Sequence, residues 1–327
     1  MANGKKINKN LKIVCLGGGI GTSILIHGLK KYGFHISVIT SMADDGGSSG
    51  RLRRAYNIMP PGDMVSCIAA LIEDKNKDLA SLLTYRFPGN ARDNKIIDGH
   101  KLGNIIMLAE ILRTKDIYKA LEVTKRMFGV KEDILPASDV RTHLSGITKD
   151  GRRIYGENAL NIPKHAEPFG LKKIFISPKS PAVNKKVIKS LESADVIISG
   201  PGDLYTNQLP VLLIPKIKKI LLEKKCKKIF ILNVANKPFE TKGFTLNDFV
   251  YTITDHLGAF PFHTIIANKD ESSKILGKHR DYKYVKIDKD LIELKQKYKI
   301  VIKNLINKDF PIYHDSDKLA KTILKNI

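Results

Sequence analysis

The chain has 327 residues, 43% of them hydrophobic, which is enough to bury a large core and excludes a low-complexity or disordered composition. Lysine and arginine total 56 against 33 acidic residues, a net charge of +23 that would attract nucleic acid or an anionic membrane surface. The excess is mostly lysine spread along predicted helices, and no arginine-rich tract is interleaved with aromatic residues. We therefore do not expect specific nucleic-acid binding.

The cysteines and the N-terminal segment exclude other classes. Cys15, Cys67 and Cys226 are far apart and form no C-x-x-C pair, so neither a zinc site nor a disulfide framework is predicted. The apolar run near the N-terminus is too short for a secretory signal or a membrane span. We expect a cytoplasmic protein.

In chain order, the first predicted unit is a βαβ element between Lys12 and Arg51. The apolar run Ile13 to Leu16 predicts a strand, the glycines from Gly17 to Gly21 a tight turn, and the apolar spacing after them a helix. A second strand is predicted from Ile36 to Thr40. Both strands end in polar, glycine-bearing loops, which we expect to be flexible.

The first loop is typical of phosphate binding. Glycines allow close backbone approach, and the N–H groups at a helix start favour an anion. However, Thr22 stands where the dinucleotide fingerprint has its third glycine, and the loop lacks the lysine of a P-loop. A tight turn without a ligand is the alternative.

The second loop contains adjacent carboxylates, Asp44 and Asp45, beside glycines and the serines Ser48 and Ser49. Adjacent anions repel one another, so this composition favours a binding site over a purely structural turn. Asp44 is a candidate for a ribose hydroxyl, and both aspartates are candidate ligands of a hydrated Mg²⁺. The alternative is a solvated turn.

Two further polar segments begin predicted helices. Asp63 follows a proline pair, and helix capping explains it as well as ligand binding does. His100 and Asn104 lie one helical turn apart and are candidates for contact with a phosphate or a sugar hydroxyl. The alternative for His100 is a bond to neighbouring backbone.

The remaining pattern predicts an α/β fold with a Rossmann-like, mostly parallel sheet and helices on both faces. We expect a single domain over residues 1–327, with a helical block at about 63–129 and a small antiparallel β-hairpin insertion at about 134–163. A second glycine-bearing loop follows a strand at 200–207, and another strand ends at Asn233. These loops predict a polar crevice along the carboxyl edge of the sheet.

Seven motifs resemble, in order, those of the YvcK family of gluconeogenesis factors, which is related to the CofD 2-phospho-L-lactate transferases. They are GGGIG at 17–21, MADDGGSSGRLR at 42–53, PPGD at 60–63, GHKLGN at 99–104, LPAS at 135–138, SGPGDLYTN at 199–207 and the loop at 233–241.

The resemblance implies a cytoplasmic protein that binds a nucleotide sugar of the UDP-N-acetylglucosamine type. It also implies a link to cell shape, wall-precursor supply and growth on gluconeogenic carbon sources, through partner proteins in cell-wall synthesis. We expect a homo-oligomer. Carried over by position, the ligand-binding residues are Gly18, Gly19, Gly21, Thr22, Asp44, Asp45, Ser48, Ser49, Asp63, His100, Asn104, Gly200, Gly202, Asp203, Tyr205 and Asn233.

The sequence departs from the family pattern at four places. Ile20 replaces a usual threonine, and Val65 with Ser66 replaces a basic residue and an asparagine. Phe239 replaces a usual glycine. Tyr313 replaces the arginine of an Arg-His-Asp motif, which removes a guanidinium suited to pairing with diphosphate.

Three functions follow from these residues. The first is a nucleotide-sugar-binding regulator without chemistry of its own. The second is a transferase of phosphorus-containing groups, with Mg²⁺ held by Asp44 or Asp45 and His100 as the best candidate for a general base. The third, an NAD-dependent dehydrogenase, lacks a recognisable hydride-transfer site. NAD and a guanine nucleotide are the alternatives to a UDP-sugar as the bound ligand.

Overall fold

The computed structural model describes residues 10–89, 97–161, 170–288 and 291–327. Its centre is a seven-stranded sheet in which every pairing is parallel. The strands of this sheet are β1 (Lys12–Leu16), β2 (His35–Thr40), β3 (Asp133–Pro136), β7 (Val196–Ser199), β8 (Lys227–Ile231), β10 (Thr264–Asn268) and β12 (Lys299–Lys303). The shorter strands are β4 (His143–Thr148), β5 (Arg153–Tyr155), β6 (Leu171–Ser177), β9 (Ala235–Asn236) and β11 (Lys283–Tyr284).

Helices cover both faces of this sheet. The α-helices are α1 (Gly19–Leu29), α2 (Gly47–Tyr56), α3 (Gly62–Leu71), α4 (Lys77–Thr84), α5 (Leu102–Thr114), α6 (Ile117–Met127), α7 (Glu157–Asn161), α8 (Lys185–Ser193), α9 (Leu209–Leu212), α10 (Pro215–Glu223), α11 (Leu246–Leu257), α12 (Ile292–Lys297) and α13 (Ser316–Leu324). Short 3₁₀ turns lie at Lys30–Tyr32, Asp74–Asn76 and Gly277–His279, and a π-helical turn at Leu204–Gln208 precedes α9.

The strand order is β3-β2-β1-β7-β8-β10-β12. The chain therefore winds outward from β1 in one direction and then returns to β7, next to β1, to wind in the other. In such sheets the crevice beyond the carboxyl ends of the two central strands is where ligands bind. Here that switch point lies between β1 and β7.

The core is divided into two layers by the alternation of side chains along the strands. In β1, Val14 and Leu16 belong to the layer beneath α8–α11, whereas Ile13 and Cys15 belong to the layer beneath α1, α3, α6 and α13. Both layers are fully apolar at these positions, as expected of a parallel sheet that is buried on both faces. The predicted fold class is confirmed.

The antiparallel insertion differs in its bounds from the prediction. Residues 133–136 form β3 and pair in parallel with β2, so they are the edge strand of the main sheet. The antiparallel part is a three-stranded sheet, β5-β4-β6, in which β6 adds a strand from beyond the predicted hairpin. Residues 162–163 of the predicted hairpin lie outside the described residues.

The predicted helical block is present as α3–α6, and residues 90–96 within it lie outside the described residues. The expectation of a flexible loop from Gly46 to Gly50 is wrong, because α2 begins at Gly47. Ser48 and Ser49 thus lie in the first turn of a helix. In the described part of the chain, no helix is both long enough and apolar enough to cross a membrane.

Candidate functional site

The two glycine-bearing loops meet at the switch point. A Cβ at Gly21 would lie 2.3 Å from the carbonyl oxygen of Pro201, so the loop after β1 and the loop after β7 are in backbone contact. Gly19 has φ +71° and faces the side-chain amide of Asn207. Only glycine permits both the left-handed backbone at 19 and the close approach at 21.

A cavity of about 290 Å³ lies beside this contact, and we call it the glycine-loop cavity. Its walls come from the α1 N-terminus, the loop after β7, the loop after β8 and the segment that precedes α13. The lining residues are Gly18, Gly19, Ile20, Gly21, Ile24, Pro201, Gly202, Asp203, Asn207, Asn233, Val234, Ala235, Lys237, Tyr282, Ile312, Tyr313 and His314. The polar part of this lining consists of backbone groups, two amides, two tyrosines, a histidine and the ion pair between Lys237 and Asp203.

The carboxylate of Asp63 supports the glycine loop from below. Its Oδ1 accepts the N–H of Gly19 at 2.9 Å, so Asp63 binds the start of α1. Its Oδ2 is buried and has no hydrogen-bond partner among the described residues. Burial raises the pKa of Asp63 to about 7, and the charge of Asp44 adds to the rise. The carboxyl therefore changes charge near neutral pH.

Asp63 and Asp44 share a smaller space of about 150 Å³, the acidic cavity, with Glu157 and Asp203. Burial raises the pKa of Asp44, and burial together with the charges of Asp44 and Asp45 raises that of Glu157 to about 8. In the described ranges, no three or more His, Cys, Asp or Glu side chains form a set of metal ligands. A cation here would therefore depend on water or on a bound ligand for most of its coordination.

Asp45 does not point toward the acidic cavity. Its two carboxylate oxygens accept the backbone N–H groups of Glu157 and Asn158, at 3.1 and 2.8 Å. This contact holds the first turn of α7 against the loop after β2. The structure therefore gives Asp45 a positioning contact, separate from Asp44, which accepts the N–H of Gly46 at 3.0 Å and is hydrogen-bonded to Ser49.

Ser48, His100 and Asn104 form one buried network. The hydroxyl of Ser48 accepts the Asn104 amide at 2.9 Å and lies 2.9 Å from Nδ1 of His100. Its own proton is then free to be donated to Nδ1, which leaves the ring proton on Nε2. Burial, with Arg51 and Arg86 nearby, lowers the pKa of His100. The neutral ring holds the start of α2 against α5, and a catalytic role for it stays a prediction.

The loop after β7 is held by two amide side chains. The N–H of Gly202 donates to Oδ1 of Asn233 at 3.1 Å, and Gln208 donates to the Gly202 carbonyl at 2.7 Å. Gly200, with φ +80°, lies so close to the carbonyl of Ile231 that a Cβ would be 2.5 Å from it. The predicted residues Gly200, Gly202 and Asn233 are thus brought together at the switch point.

Glu240 anchors the same loop from the other side. Its Oε1 accepts the N–H groups of Tyr205 and Thr206, at 2.8 and 2.9 Å, and the hydroxyl of Thr206 at 3.2 Å. Lys237 donates to Asp203 and, at 2.5 Å, to Asn161. Burial and the charge of Asp203 raise the pKa of Glu240 to about 7, opposed by Lys237.

Seven predicted ligand residues have side chains that line neither the glycine-loop cavity nor the acidic cavity: Asp45, Ser48, Ser49, His100, Asn104, Tyr205 and Thr22. Tyr205 is 1% exposed, donates its hydroxyl to the Leu171 carbonyl at 3.2 Å and packs edge-on against Phe244. Thr22 is fully buried beneath Gly17. Tyr205 is therefore a core residue that contributes its backbone to the loop, and the buried hydroxyl of Thr22 has no hydrogen-bond partner among the described residues.

Arg53 is a positioning residue that sequence reasoning missed. Its guanidinium is buried and donates to the carbonyls of Met42 and Asp44, at 3.2 and 3.1 Å, and to that of Thr142 at 2.7 Å. It thereby joins the acidic loop to the segment before β4.

We expect Arg53→Lys to lower the free energy of unfolding by about 2 kcal/mol, because an ammonium cannot reach three carbonyls that a planar guanidinium spans. Urea denaturation of both proteins measures the loss. The exposed Arg54→Lys, whose wild-type residue bonds a single carbonyl at Asp45, is the matched control and is expected to change stability by less than about 0.5 kcal/mol. Equal stability of Arg53→Lys and wild type would contradict this role.

Several other residues at the site were missed as well. Asn207, Lys237 and Glu240 lie inside motifs that the sequence analysis noted only as polar loops, and Lys101 lies inside GHKLGN. Lys101 donates to Ser66 at 3.1 Å. Burial lowers the pKa of Lys101, and the nearby charges of Asp63 and Asp44 offset part of this effect.

Comparisons with known proteins agree with this architecture. The family model described as 2-phospho-L-lactate transferase CofD matches residues 13–306. The chain is 35% identical to the gluconeogenesis factor of Bacillus subtilis, over 96% of this chain and 97% of that protein, and 32% identical to the gluconeogenesis factor of Halalkalibacterium halodurans, over 97% of each.

A solved structure shows the same fold. The crystal structure of a member of the UPF0052 family from Bacillus halodurans covers 97% of this chain and 100% of its own, with 31% identity and a TM-score of 0.88. These similarities, together with the parallel sheet and the contact between the glycine loops, show that the chain belongs to the CofD family and, within it, to the YvcK group of gluconeogenesis factors.

Proposed function

We propose that this protein is a cytoplasmic binding protein for a nucleotide sugar of the UDP-N-acetylglucosamine type, and that it regulates wall-precursor supply, cell shape and growth on gluconeogenic carbon sources. The observation that carries the proposal is the glycine-loop cavity at the switch point. Its position between β1 and β7 is the one at which nucleotides bind in doubly wound sheets.

The floor of the cavity suits a diphosphate. The first N–H groups of a helix have no intrahelical acceptor, and in α1 the one on Gly19 is bound by Asp63. Those on Ile20 and Gly21 have no acceptor among the described residues and could donate to phosphate oxygens, and the dipole of α1 favours negative charge there. Lys237 also lines the cavity, where its ammonium is paired with the carboxylate of Asp203 and has a further donor for a phosphate oxygen.

The outer part of the cavity suits the nucleoside and the sugar. Tyr282 and Tyr313 line it and offer aromatic surface for a planar base. Asn207 and Asn233 offer amide groups for hydroxyl or carbonyl contacts. A volume of about 290 Å³ is at the lower end for ligand pockets, so a nucleotide sugar would extend into the open mouth.

A regulatory role is favoured over catalysis because His100, the side chain predicted as a general base, lines neither the glycine-loop cavity nor the acidic cavity. The ring of His100 is occupied by Ser48 through Nδ1, and both oxygens of Asp45 bind backbone N–H groups. The full-length similarity to gluconeogenesis factors supports the same choice.

The acidic cavity favours a second candidate, a transferase of phosphorus-containing groups. Mg²⁺ would supply charge neutralisation at a diphosphate, with Asp63 and Asp44 as the residues that would hold it in place of the predicted pair Asp44 and Asp45. Release of a nucleoside monophosphate on incubation of the protein with Mg²⁺, a nucleotide-activated phosphoester and an alcohol acceptor would identify the transferase, because the acceptor hydroxyl displaces the nucleotide at phosphorus. Binding without turnover identifies the regulator.

The direct test uses Ile20, which is 58% exposed and lies at the tip of the glycine loop. Ile20→Asp places a negative charge beside the phosphate position, and we expect it to weaken binding of UDP-N-acetylglucosamine about tenfold or more by electrostatic repulsion. Isothermal titration calorimetry measures the dissociation constant.

Ile20→Asn is the matched control, because it has the same shape as aspartate without the charge. We expect its affinity to stay within about threefold of wild type. Equal affinities for Ile20→Asp and Ile20→Asn would show that no anionic group lies at the glycine loop and would refute the proposed site.

A further inference from the structure

A second cavity adjoins the glycine-loop cavity. It has a volume of about 520 Å³, opens to solvent, and lies between α1, α3 and α4; we call it the helical cavity. Ile20, Ile24 and His314 line both spaces, so the two cavities are separated by single side chains. A ligand in one would contact the wall of the other.

The walls of the helical cavity are amphipathic. Its apolar surface comes from Ile20 and Ile24 on α1 and from alanines on α3 and α4, among them Ala80. Lys101 supplies a positive charge, and none of the described residues that line the cavity is acidic. The ammonium of Lys101 has three donors, of which the described contacts use one, to Ser66.

An unpartnered buried group points to a ligand. His314 is 2% exposed, and its Nε2 is buried with no hydrogen-bond partner among the described residues. A buried polar atom of this kind costs free energy unless something supplies a partner. Burial lowers the pKa of His314 to about 4, so the ring is neutral and needs a hydrogen-bonding ligand atom or water.

From the amphipathic walls, the lysine in the lining and the unpartnered imidazole nitrogen of His314, which lines both cavities, we infer that the helical cavity is a second small-molecule site, for an anion that joins an apolar ring or short chain to a carboxylate or phosphate. The apolar part would cover Ile20, Ile24 and Ala80, and the charged part would be held by Lys101. The site is distinct from the nucleotide site and is independent of whether the first cavity takes a nucleotide sugar.

Phenyl phosphate is a suitable probe, with benzyl alcohol as its uncharged counterpart. By saturation-transfer NMR on the full chain, we expect phenyl phosphate to bind with a dissociation constant on the order of 1 mM, as is usual for a fragment of this size. Ala80→Phe fills the cavity from α4 and should weaken binding about tenfold or more. Leu82→Phe, on the same helix but outside the lining, should leave it unchanged.

Two further variants keep the test decisive. Thr84→Phe also fills the cavity, from an exposed position, and it replaces Ala80→Phe in the test if that variant does not fold. Lys101→Met should weaken phenyl phosphate and leave benzyl alcohol unchanged. Absence of phenyl phosphate binding, or binding that Ala80→Phe and Thr84→Phe leave intact, overturns the inference.

Titration of Ala80→Phe with UDP-N-acetylglucosamine separates the two sites. Wild-type affinity for the nucleotide sugar together with lost phenyl phosphate binding supports two sites. Failure of the nucleotide sugar to bind any of the proteins would refute the proposed function alone. Complete displacement of phenyl phosphate by the nucleotide sugar, with no effect of Ala80→Phe, would place the probe in the first cavity and overturn the second site.

Discussion

Replacing Gly21 with alanine will destabilise the protein and weaken ligand binding, although alanine is the better helix former. Gly21 lies in the first turn of α1 with ordinary helical backbone, so helix propensity alone favours the substitution by about 1 kcal/mol. The added methyl group would lie 2.3 Å from the carbonyl oxygen of Pro201. Overpacking of this kind costs about 1–3 kcal/mol, and the clash is with backbone, which has no rotamer to change.

The expected result is a net loss of up to about 2 kcal/mol in the free energy of unfolding and at least about tenfold weaker UDP-N-acetylglucosamine binding, since separating the two loops reshapes the cavity floor. Urea denaturation and calorimetry measure the two effects. Gly89→Ala is the control: this exposed glycine has no positive φ and its methyl would meet open space. A Gly21→Ala protein more stable than wild type would contradict contact between the loops.

Replacing Asp63 with asparagine will remove a pH dependence from nucleotide-sugar binding. The Asp63 carboxyl has a pKa of about 7 and binds the same glycine loop at which the diphosphate is proposed to lie. An ionised carboxylate there repels the ligand, whereas the protonated form does not. In the absence of Mg²⁺, wild-type affinity should therefore rise as pH falls from 8 to 6, by up to about tenfold in total, with most of the rise between pH 8 and pH 7.

Asp63→Asn keeps an oxygen that can accept the N–H of Gly19 and carries no charge. We expect its affinity to change little over the same range and to exceed that of wild type at pH 8. In a nucleotide sugar each phosphorus carries one ester and one anhydride linkage, so only strongly acidic oxygens remain and the diphosphate does not itself titrate between pH 6 and 8. Parallel pH profiles for the two proteins would contradict a carboxylate beside the ligand.

The same pKa has a consequence for stability. Because the folded-state pKa of Asp63 lies above the unfolded value, the folded protein binds an extra proton between about pH 4 and pH 7. Stability from this group falls as pH rises through that window and is constant above it. The stability of Asp63→Asn relative to wild type should therefore increase from pH 4 to pH 7, as measured by denaturant midpoints.

The sequence predicted the parts of the fold that depend on short-range pattern. The apolar run of β1, the glycine turn and α1 follow one another within eighteen residues, so periodicity and turn composition suffice to predict them. The start of α2 was missed because Gly47, Ser48 and Ser49 have low helix propensity. Contacts of Ser48 with His100 and Asn104, more than fifty residues away, stabilise that turn instead.

The sequence predicts where the site residues lie in the fold more accurately than it predicts the direction of their side chains. Asp44 and Asp45 are adjacent, yet Asp44 lines the acidic cavity and Asp45 binds the N-terminus of α7, over a hundred residues along the chain. Tyr205 belongs to a glycine-rich motif, but the π-helical turn directs its ring into the core. Such directions depend on tertiary partners, which local composition does not encode.

A crystal structure of the protein with UDP-N-acetylglucosamine tests most directly whether a nucleotide sugar binds at the glycine loop. We expect the diphosphate to lie at hydrogen-bond distance, about 3 Å, from the backbone nitrogens of Ile20 and Gly21, between the loops after β1 and β7. Lys237 should face the phosphates and the two tyrosines should border the nucleoside. Density for the ligand elsewhere, with the glycine loop unliganded, would contradict the account.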